Sequence, residues 1–415
     1  MVSTAMMNRP FVFCAAGLFV ACICARAEPD EDALGKAMGY PRGTAAAMYA
    51  ERFKVGSFSA TDKILPTRFI EHGDKVTPLP AGEPVEIHYR FKNERFTLND
   101  YLDHQRVTGL LILKEDKIAA EHYRYDRRAQ DRFLSFSMSK SITSLLAGIA
   151  LQKGLIASLD DRAEKYVPEL RGSGYGEATI RQLLHMSSGM KFVEEYNGHD
   201  DCAKLANAEL GRSAEKPLQV LASFQERLFP AGEKMGYASS ESAVVGYVVA
   251  RAAGKNLATL ASEWLWKPLG AEAEAAWNLS VDGQERAAGS FNACLRDYGR
   301  LGLLLACDGE IGGKQIVPKD YLLEATDATL QPTAFRPRKA SPYYGYGYLF
   351  WIFPMRERTF ALLGIYGQAI FVQPSSGIVM VQTAATHEAR DRAAGAERDA
   401  LWRGVLESLG GHTEP

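Results

Sequence analysis

The stretch that decides the fold covers residues 133–154 and reads FLSFSMSKSITSLLAGIALQKG. Its apolar side chains recur at helical spacing, at Met138, Ile142, Leu145, Leu146 and Ile149. Ser137 and Lys140 stand at the start of this predicted helix, and their spacing of three places both side chains on one face. A serine hydroxyl becomes a good nucleophile when a neighbouring base takes its proton, and a neutral lysine is such a base. The pair is therefore the strongest candidate in the sequence for a nucleophile, Ser137, with Lys140 as its base.

The tetrapeptide S-x-x-K is a weak signal by itself, because it recurs at residues 188–191 and 213–216. Gly189 interrupts the second copy after a predicted helix end, and Pro217 follows the third copy within a polar stretch. Only Ser137 stands at the start of a long predicted amphipathic helix and directly follows a largely apolar segment, residues 133–136. From spacing alone, the favoured interpretation is a serine that merely caps this helix, followed by a lysine in the first turn.

The composition is that of an ordinary globular protein, with 47% hydrophobic and 24% charged residues among 415. The net charge is −2 and no long basic run occurs, so a nucleic-acid partner has no electrostatic support. The sequence lacks a G-x-S-x-G elbow, a phosphate-binding loop and a dinucleotide fingerprint, which argues against α/β-hydrolase, phosphoryl-transfer and hydride-transfer chemistry. Neither HExxH nor CxxC is present, so we expect no metal and no other cofactor.

The first 27 residues are predicted to be a secretory signal peptide. They contain no acidic residue, and the apolar run at residues 11–24 is too short to span a bilayer comfortably. The tripeptide ARA that ends at Ala27 has the small-x-small pattern of a cleavage site. We therefore expect an exported protein, periplasmic or secreted, without a transmembrane span. Lipoprotein anchoring at Cys22 is a minority alternative.

Hydrophobic patterning predicts strands at both ends of the remaining chain and helices between them. Two apolar runs flank Glu115-Asp116-Lys117 and predict a hairpin over residues 107–125. Further helices are predicted at residues 179–189, 240–253, 257–266 and 291–310. Further strands are predicted at residues 344–353, 359–363, 369–372 and 378–383. This order predicts an α+β core from residues 28–152 and 290–415, interrupted by a mainly helical region at residues 153–289.

Several segments together resemble the serine β-lactamase and penicillin-binding superfamily. They are residues 136–146 (FSMSKSITSLL), 179–189 (TIRQLLHMSSG), 230–239 (PAGEKMGYAS), 296–302 (RDYGRLG) and 364–368 (GIYGQ). They occur in the superfamily's order across residues 107–385. The resemblance is closest to the branch of class C β-lactamases, family VIII-type carboxylesterases and 6-aminohexanoate-dimer hydrolases. It implies one catalytic domain, a three-layer sandwich in which helices flank an antiparallel sheet.

The resemblance also implies roles for individual residues. Ser137 would be the acylated nucleophile, Lys140 its base, and Tyr237 a second acid/base that serves the leaving group. The phenol suits this role only if a cation such as Lys140 favours its phenolate or shares its hydrogen bond. The backbone N–H groups of Ser137 and Gln368 would form the oxyanion hole. The implied substrate-binding residues are Ser239, Ile365, Tyr366 and Gly367.

Two positions depart from the superfamily's pattern. Ile365 stands where a Lys or His commonly faces a substrate carboxylate, and Ser239 replaces the commoner Asn. Both favour a small ester or amide substrate, such as a linear amide like the 6-aminohexanoate dimer. The prediction is therefore an exported serine hydrolase that acts on a small molecule. β-Lactamase or DD-peptidase activity is the alternative among enzymes, and a non-catalytic cell-wall or ligand-binding module is the alternative outside them.

Overall fold

The structure is a computed structural model that describes residues 28–415. The predicted signal peptide and Cys22 fall on residues 1–27 and lie outside the described residues. The helices are α1 (Lys54–Phe58), α2 (Leu98–His104), α3 (Met138–Gln152), α4 (Gly174–Glu177), α5 (Ile180–Leu184), α6 (Asp201–Glu209), α7 (Pro217–Ser223), α8 (Ser239–Ala253), α9 (Leu257–Ala261), α10 (Lys267–Leu269), α11 (Leu295–Ala306), α12 (Lys319–Thr326) and α13 (Arg392–Leu409). The strands are β1 (Thr67–Ile70), β2 (His88–Phe91), β3 (Glu94–Thr97), β4 (Val107–Lys114), β5 (Lys117–Tyr123), β6 (Phe133–Leu134), β7 (Ala275–Asn278), β8 (Phe291–Ala293), β9 (Glu310–Ile311), β10 (Lys314–Gln315), β11 (Gly345–Gly347), β12 (Phe350–Ile352), β13 (Phe360–Gly364), β14 (Gln368–Gln373) and β15 (Ile378–Ala384).

A seven-stranded antiparallel sheet forms the centre of the protein, in the order β11-β12-β13-β14-β15-β4-β5. The hairpin predicted over residues 107–125 is confirmed, because β4 and β5 pair around the turn at Glu115 and Asp116. On its other side β4 pairs with β15, from Lys114 opposite Ile378 onward. Strand β4 is buried along almost its whole length. A strand that is covered on both faces needs apolar side chains throughout, which explains its continuous apolar run.

Helices cover both faces of this sheet. Leu111 and Leu113 of β4 belong to the core cluster shared with α3 and α11. Leu110 and Ile112 belong to a separate cluster on the opposite face, which they share with Trp402 of α13. Successive side chains of a strand point to opposite faces, so one apolar strand serves both cores. The predicted fold class, an α+β three-layer sandwich with a helix-flanked antiparallel sheet, is confirmed.

A second sheet, of four strands in the order β1-β7-β8-β6, leads the chain into α3. In β6, Phe133 pairs with Ala293 of β8. The Ser135 N–H then donates to the carbonyl of Phe291 at 2.8 Å, which extends this pairing beyond the strand. Because the pairing ends just before Ser137, it fixes the direction from which the chain enters α3.

The region at residues 153–289 contains helices α4 to α10 and strand β7. Its longest helix, α8, packs against α3 and α5. This packing brings the start of α8, with Tyr237 just before it, to the start of α3. The packing of α8 on α3 thus places Tyr237 beside Ser137.

Two predicted helices are shorter than the sequence pattern indicated. The helix predicted at residues 179–189 begins as expected, with Thr179 and Gln182 forming a capping box, but it ends at Leu184. The chain turns there because Met186 is left-handed (φ 54°) and the Ser188 N–H donates to a buried carboxylate of Glu241. The helix predicted at residues 291–310 starts only at Leu295, because the residues before it form the inner strand β8.

Cys202, Cys294 and Cys307 are free thiols, so no disulfide joins the described residues. Within residues 28–415, every helix is too short or too polar to cross a lipid bilayer. The hydrophobic clusters around the central sheet therefore hold this part of the chain together.

Candidate active site

Ser137 lies at the N-cap of α3, immediately after a backbone turn of unusual conformation. Phe136 has φ 45°, a left-handed conformation that costs a non-glycine residue about 1–3 kcal/mol. Its ring is held in place by Phe58 and Tyr366, whose ring centroids lie 4.9 and 5.3 Å away. Gly364 of β13 passes so close that a Cβ there would lie 2.4 Å from the carbonyl oxygen of Ser135. The turn is therefore imposed by its surroundings, and it presents the Ser137 hydroxyl, which is half-buried, to a cleft.

Lys140 is buried, with 2% of its surface exposed, yet it has no carboxylate partner among the described residues. Its Nζ instead donates to Ser137 Oγ at 2.9 Å and to the carbonyl oxygen of Ala288 at 2.6 Å. Both contacts hold the nitrogen within reach of the serine hydroxyl. A buried amine that is oriented in this way is suited to exchange a proton with Ser137.

Tyr237 completes the cluster. Its ring centroid lies 5.3 Å from Lys140 Nζ, and its ring stacks on Trp351 at 5.6 Å. Burial raises the pKa of the Tyr237 phenol, while the charge of Lys140 and hydrogen bonding to Ser137 and Lys140 act in the opposite direction. The net effect is a phenol that keeps its proton at neutral pH. The structure thus brings Ser137, Lys140 and Tyr237 together from three separate parts of the sequence.

The turn between β13 and β14 closes the other side of the cleft. Ile365 borders the cleft, and Tyr366 has φ 59°, again left-handed. Gln368 is buried, and its side-chain amide donates to the carbonyl oxygens of Tyr366 at 3.0 Å and Ala384 at 2.8 Å. The Gln368 side chain therefore braces the turn from behind, and the predicted role of its backbone N–H remains a prediction.

Ser239, predicted to contact substrate, is bound to a residue that the sequence analysis missed. Its hydroxyl donates to Glu194 Oε1 at 2.8 Å and its N–H to Glu194 Oε2 at 2.7 Å. Tyr196 also donates its phenol proton to Glu194, and Tyr196 borders the cleft beside Ser137. Neither Glu194 nor Tyr196 carries a sequence signal, because they lie in an irregular segment without periodicity.

Two cavities meet at Ser137. The first has a volume of about 550 Å³ and the second about 460 Å³. Residues that border both are Ser137, Tyr196, Ile365 and Ala389. Those that border only the first include Tyr237, Trp351, Gly367, Arg390 and Arg392. Those that border only the second include Ser239, Glu209, Arg286 and Tyr366. A substrate whose reactive carbonyl lies at Ser137 would therefore extend in two directions.

A serine at a helix N-terminus, hydrogen-bonded to a buried lysine beside a tyrosine and next to an antiparallel sheet, defines the class of S-x-x-K serine hydrolases. The comparison with protein families agrees with this assignment to the serine hydrolases. The chain belongs to the Beta-lactamase family, which matches residues 97–401. Among the described residues, no cluster of His, Cys, Asp or Glu side chains has the arrangement of a metal site.

Individual proteins that are similar to this chain indicate the type of serine hydrolase. The chain is 24% identical over 334 residues to 6-aminohexanoate-dimer hydrolase from Paenarthrobacter ureafaciens, which covers 79% of this chain and 84% of that protein. A structure from Bacillus anthracis that carries the same enzyme name has a TM-score of 0.79 at 20% identity, covering 93% of this chain and all of that one. EstCE1, a hydrolase with promiscuous acyltransferase activity, has a TM-score of 0.59 at 18% identity, covering 73% and 96%. The protein is therefore a serine hydrolase of the amidase or esterase type.

Proposed function

We propose that the protein cleaves small esters or linear amides through an acyl-enzyme on Ser137. The observation that carries this proposal is the 2.9 Å hydrogen bond between Lys140 Nζ and Ser137 Oγ, in a cleft that also contains Tyr237. Membership of the Beta-lactamase family and the likeness to 6-aminohexanoate-dimer hydrolase support the reaction type.

In the acylation step, the neutral amine of Lys140 accepts the hydroxyl proton of Ser137 while Oγ bonds to the carbonyl carbon of the substrate. Tyr237 then donates its phenol proton to the leaving nitrogen or oxygen as that atom separates from the carbonyl carbon. The Lys140 ammonium then gives a proton to the Tyr237 phenolate. Lys140 and Tyr237 thereby regain the protonation states that they had before acylation. Tyr237 can act first as an acid because its phenol, whose pKa burial raises, still holds its proton when the leaving atom separates.

In the deacylation step, water attacks the carbonyl carbon of the acyl-enzyme and gives a proton to the Lys140–Tyr237 pair. The same pair protonates Ser137 Oγ as its bond to carbon breaks. The Ser137 N–H, at the N-terminus of α3, is one donor to the oxyanion. The second donor comes from the turn after β13, where the family resemblance indicates the Gln368 N–H. Ile365 of the same turn borders the cleft.

The apolar Ile365 supports esters and linear amides over substrates that need a cation at this position to hold a carboxylate. β-Lactamase or DD-peptidase activity therefore remains the second candidate, and we expect turnover of a chromogenic cephalosporin to be far slower than that of a short ester. A ligand-binding module without catalysis would not need the buried Lys140 to hold the Ser137 hydroxyl.

A serine-directed fluorophosphonate probe and p-nitrophenyl esters test the proposal. We expect the wild type to be labelled and to hydrolyse short esters, and Ser137→Ala to lose both properties. Ser188→Ala is the matched control, since Ser188 belongs to another S-x-x-K tetrapeptide, and it should still be labelled. Labelling of Ser137→Ala at the wild-type level would refute the nucleophile. A folded wild type that is not labelled and turns over no ester would favour the binding module.

We also propose that residues 1–27 direct export. Cell fractionation followed by N-terminal sequencing is the test, and we expect a periplasmic or secreted product that begins near Glu28. A product that keeps residues 1–27 in the cytosolic fraction would contradict this. Lipid attached at Cys22 would favour the lipoprotein alternative.

A further inference from the structure

The turn at residues 365–367, in which the proposed function places the second oxyanion donor, is bound to the segment that follows β15. The Tyr366 N–H donates to the carbonyl oxygen of Ala389 at 3.0 Å, and the Tyr366 carbonyl oxygen accepts the Thr386 N–H at 3.3 Å. Tyr366 is left-handed, a conformation that persists in a tyrosine only where the surroundings impose it. The position of residues 386–389 therefore determines the position of the turn.

Lys54, the first residue of α1, contacts both this segment and the turn. Its Nζ donates to the carbonyl oxygen of Thr386 at 3.4 Å and to that of His387. The same nitrogen lies 5.1 Å from the centroid of the Tyr366 ring. Lys54 is buried, with 4% of its surface exposed, and a buried cation needs acceptors in place of water. The carbonyl groups of the segment are such acceptors, so one side chain ties α1 to the support of the turn.

Glu51 fixes where the Lys54 nitrogen lies. Its Oε2 accepts a hydrogen bond from Lys54 at 2.9 Å, and its Oε1 accepts one from Arg106. The His387 Nδ1 lies 3.2 Å from the same Oε1. The carbonyl oxygen of Arg106 in turn accepts the Ala385 N–H at 2.9 Å. The Glu51 carboxylate thus joins Lys54 to both ends of the chain that carries residues 386–389.

Helix α1 also reaches the other side of the predicted oxyanion hole. Phe58 lies one turn after Lys54, on the same face of the helix. Its ring centroid lies 4.9 Å from that of Phe136, which directly precedes Ser137, and 5.0 Å from that of Tyr366. Gly56 holds α1 close to the preceding chain, because a Cβ there would lie 2.2 Å from the carbonyl oxygen of Tyr40. One short, tightly packed helix therefore contacts the backbone on both sides of the hole.

We propose that Lys54 is a positioning residue for acyl transfer, which sets the distance between the oxyanion donor of the 365–367 turn and the Ser137 N–H. Lys54 borders neither cavity, so it acts through the turn and not on the substrate. It also precedes residues 97–401, the part of the chain that matches the Beta-lactamase family, so membership of the family gives it no role. This inference rests on the proposed function, and it makes α1 a part of the catalytic centre.

Lys54→Met tests the inference, because methionine keeps an unbranched apolar side chain but removes the charge and the N–H donors. A contact with the oxyanion exists only in the transition state, so its loss should lower kcat and leave KM nearly unchanged. We expect kcat on p-nitrophenyl butyrate to fall by about 10- to 100-fold, less than for complete removal of an oxyanion donor.

A pair of inhibitors separates positioning from general damage to the cleft. Ser137 Oγ adds to the carbonyl carbon of an alkyl trifluoromethyl ketone and its proton passes to Lys140, so the adduct carries an oxyanion. The corresponding trifluoromethyl carbinol has the same shape but no carbonyl group to attack. In Lys54→Met, the inhibition constant of the ketone should rise by the same factor as kcat/KM falls, while that of the carbinol should stay within about twofold.

Lys114→Met is the matched control. Lys114 Nζ also donates to a backbone carbonyl oxygen in a turn, that of Ser376 between β14 and β15, at 2.6 Å, and Lys114 borders neither cavity. This variant should keep the kcat and the ketone affinity of the wild type. Glu51→Gln is a second test at a more exposed position, and it should lower kcat by about three- to tenfold with KM unchanged.

An unchanged kcat in folded Lys54→Met, or equal weakening of ketone and carbinol, would overturn the inference and leave the proposed function intact. Circular dichroism shows whether the variant is folded. If Lys54→Met does not fold, Glu51→Gln decides, and an unchanged kcat there would overturn the inference. A wild type that hydrolyses no ester would instead count against the proposed function itself.

Discussion

The S-x-x-K pattern occurs at residues 137–140 and again at residues 188–191, and the two copies differ in the burial and in the partners of their lysines. In the first copy, the lysine is buried and its Nζ lies 2.9 Å from the serine Oγ. In the second, Lys191 is exposed and pairs with Glu226 at 2.7 Å, while the Ser188 hydroxyl donates to Glu241 at 2.7 Å.

The difference arises from backbone conformation. Residues 138–140 continue as helix α3, so the serine and lysine share a face. Gly189 has φ 77°, so the second copy is not helical. A Cβ there would lie 2.0 Å from the carbonyl oxygen of Phe229, so only glycine fits at this position. The comparison teaches that S-x-x-K brings its two side chains together only where a helix begins at the serine and no carboxylate pairs with the lysine, which is the geometry that the proposed mechanism needs.

Replacing the two lysines should sharpen the contrast most. Lys140→Met should lower kcat/KM on p-nitrophenyl esters by about 10³–10⁴-fold, because Ser137 then lacks its proton acceptor. Lys191→Met should stay within about twofold, since an exposed ion pair contributes about 0–1 kcal/mol and lies away from the reaction. Equal losses in both variants, measured on protein of unchanged circular dichroism, would contradict the assignment of Lys140.

Tyr237→Phe should have the next largest effect. The variant keeps the stacking on Trp351 but loses the proton donor, so we expect kcat to fall by about 10²–10³-fold with an unchanged melting temperature. The loss should be larger for alkyl amides than for p-nitrophenyl esters, whose leaving group needs no protonation. A variant that loses both substrates equally would indicate that Tyr237 acts only on the attack of Ser137.

Ser188→Ala probes the second copy, where we expect a structural effect. Removing the hydroxyl leaves the buried Glu241 with one donor fewer, which should lower the free energy of unfolding by about 1–3 kcal/mol. The kcat of the folded variant should not change. Urea denaturation measures the first quantity and ester hydrolysis the second. A large loss of kcat without a loss of stability would make Ser188 a catalytic residue.

Glu241 predicts a gradual dependence of the free energy of unfolding on pH. Burial raises its pKa from the ordinary value of 4.5 to about 8, so between these pH values the folded state holds a proton that the unfolded state releases. The stabilisation is complete below pH 4.5 and is lost as pH rises towards 8, by at most about 1.4 kcal/mol per pH unit. Glu241→Gln, which is always neutral, should flatten this slope in urea titrations across the same range. An unchanged slope would show that other groups cause it.

The sequence predicted the parts of the fold that rest on local patterns. The α3 helix, the hairpin of β4 and β5 and the strands β13, β14 and β15 all have strong hydrophobic periodicity, and their positions are confirmed within a few residues. The single strand predicted at residues 344–353 is wrong, because the left-handed Tyr348 and Leu349 turn the chain and divide it into the antiparallel pair β11 and β12. The family resemblance and the fold class are confirmed as well. Errors occurred where tertiary contacts override the local pattern, as at β8, whose apolar residues fit a helix and a buried strand equally well.

The site was only partly predictable. Ser137, Lys140 and Tyr237 lie in recognisable segments, and the structure brings them together. Glu194 and Tyr196 lie in an irregular segment, and only the three-dimensional arrangement shows that Glu194 binds Ser239 and that Tyr196 borders the cleft. The left-handed turn at Phe136 was equally hidden, because nothing in a phenylalanine indicates a positive φ.

The turn at Phe136 has a consequence for synthesis of the protein. It is held between Phe58, near the beginning of the described chain, and Tyr366, near its end. Contacts between residues so far apart in sequence form slowly and late. A nascent chain that has passed residue 140 already carries Ser137 and Lys140, but it lacks the wall that holds them in position. The site can therefore form only after the last strands have been synthesised. We expect a chain that ends before β13 to have no hydrolase activity.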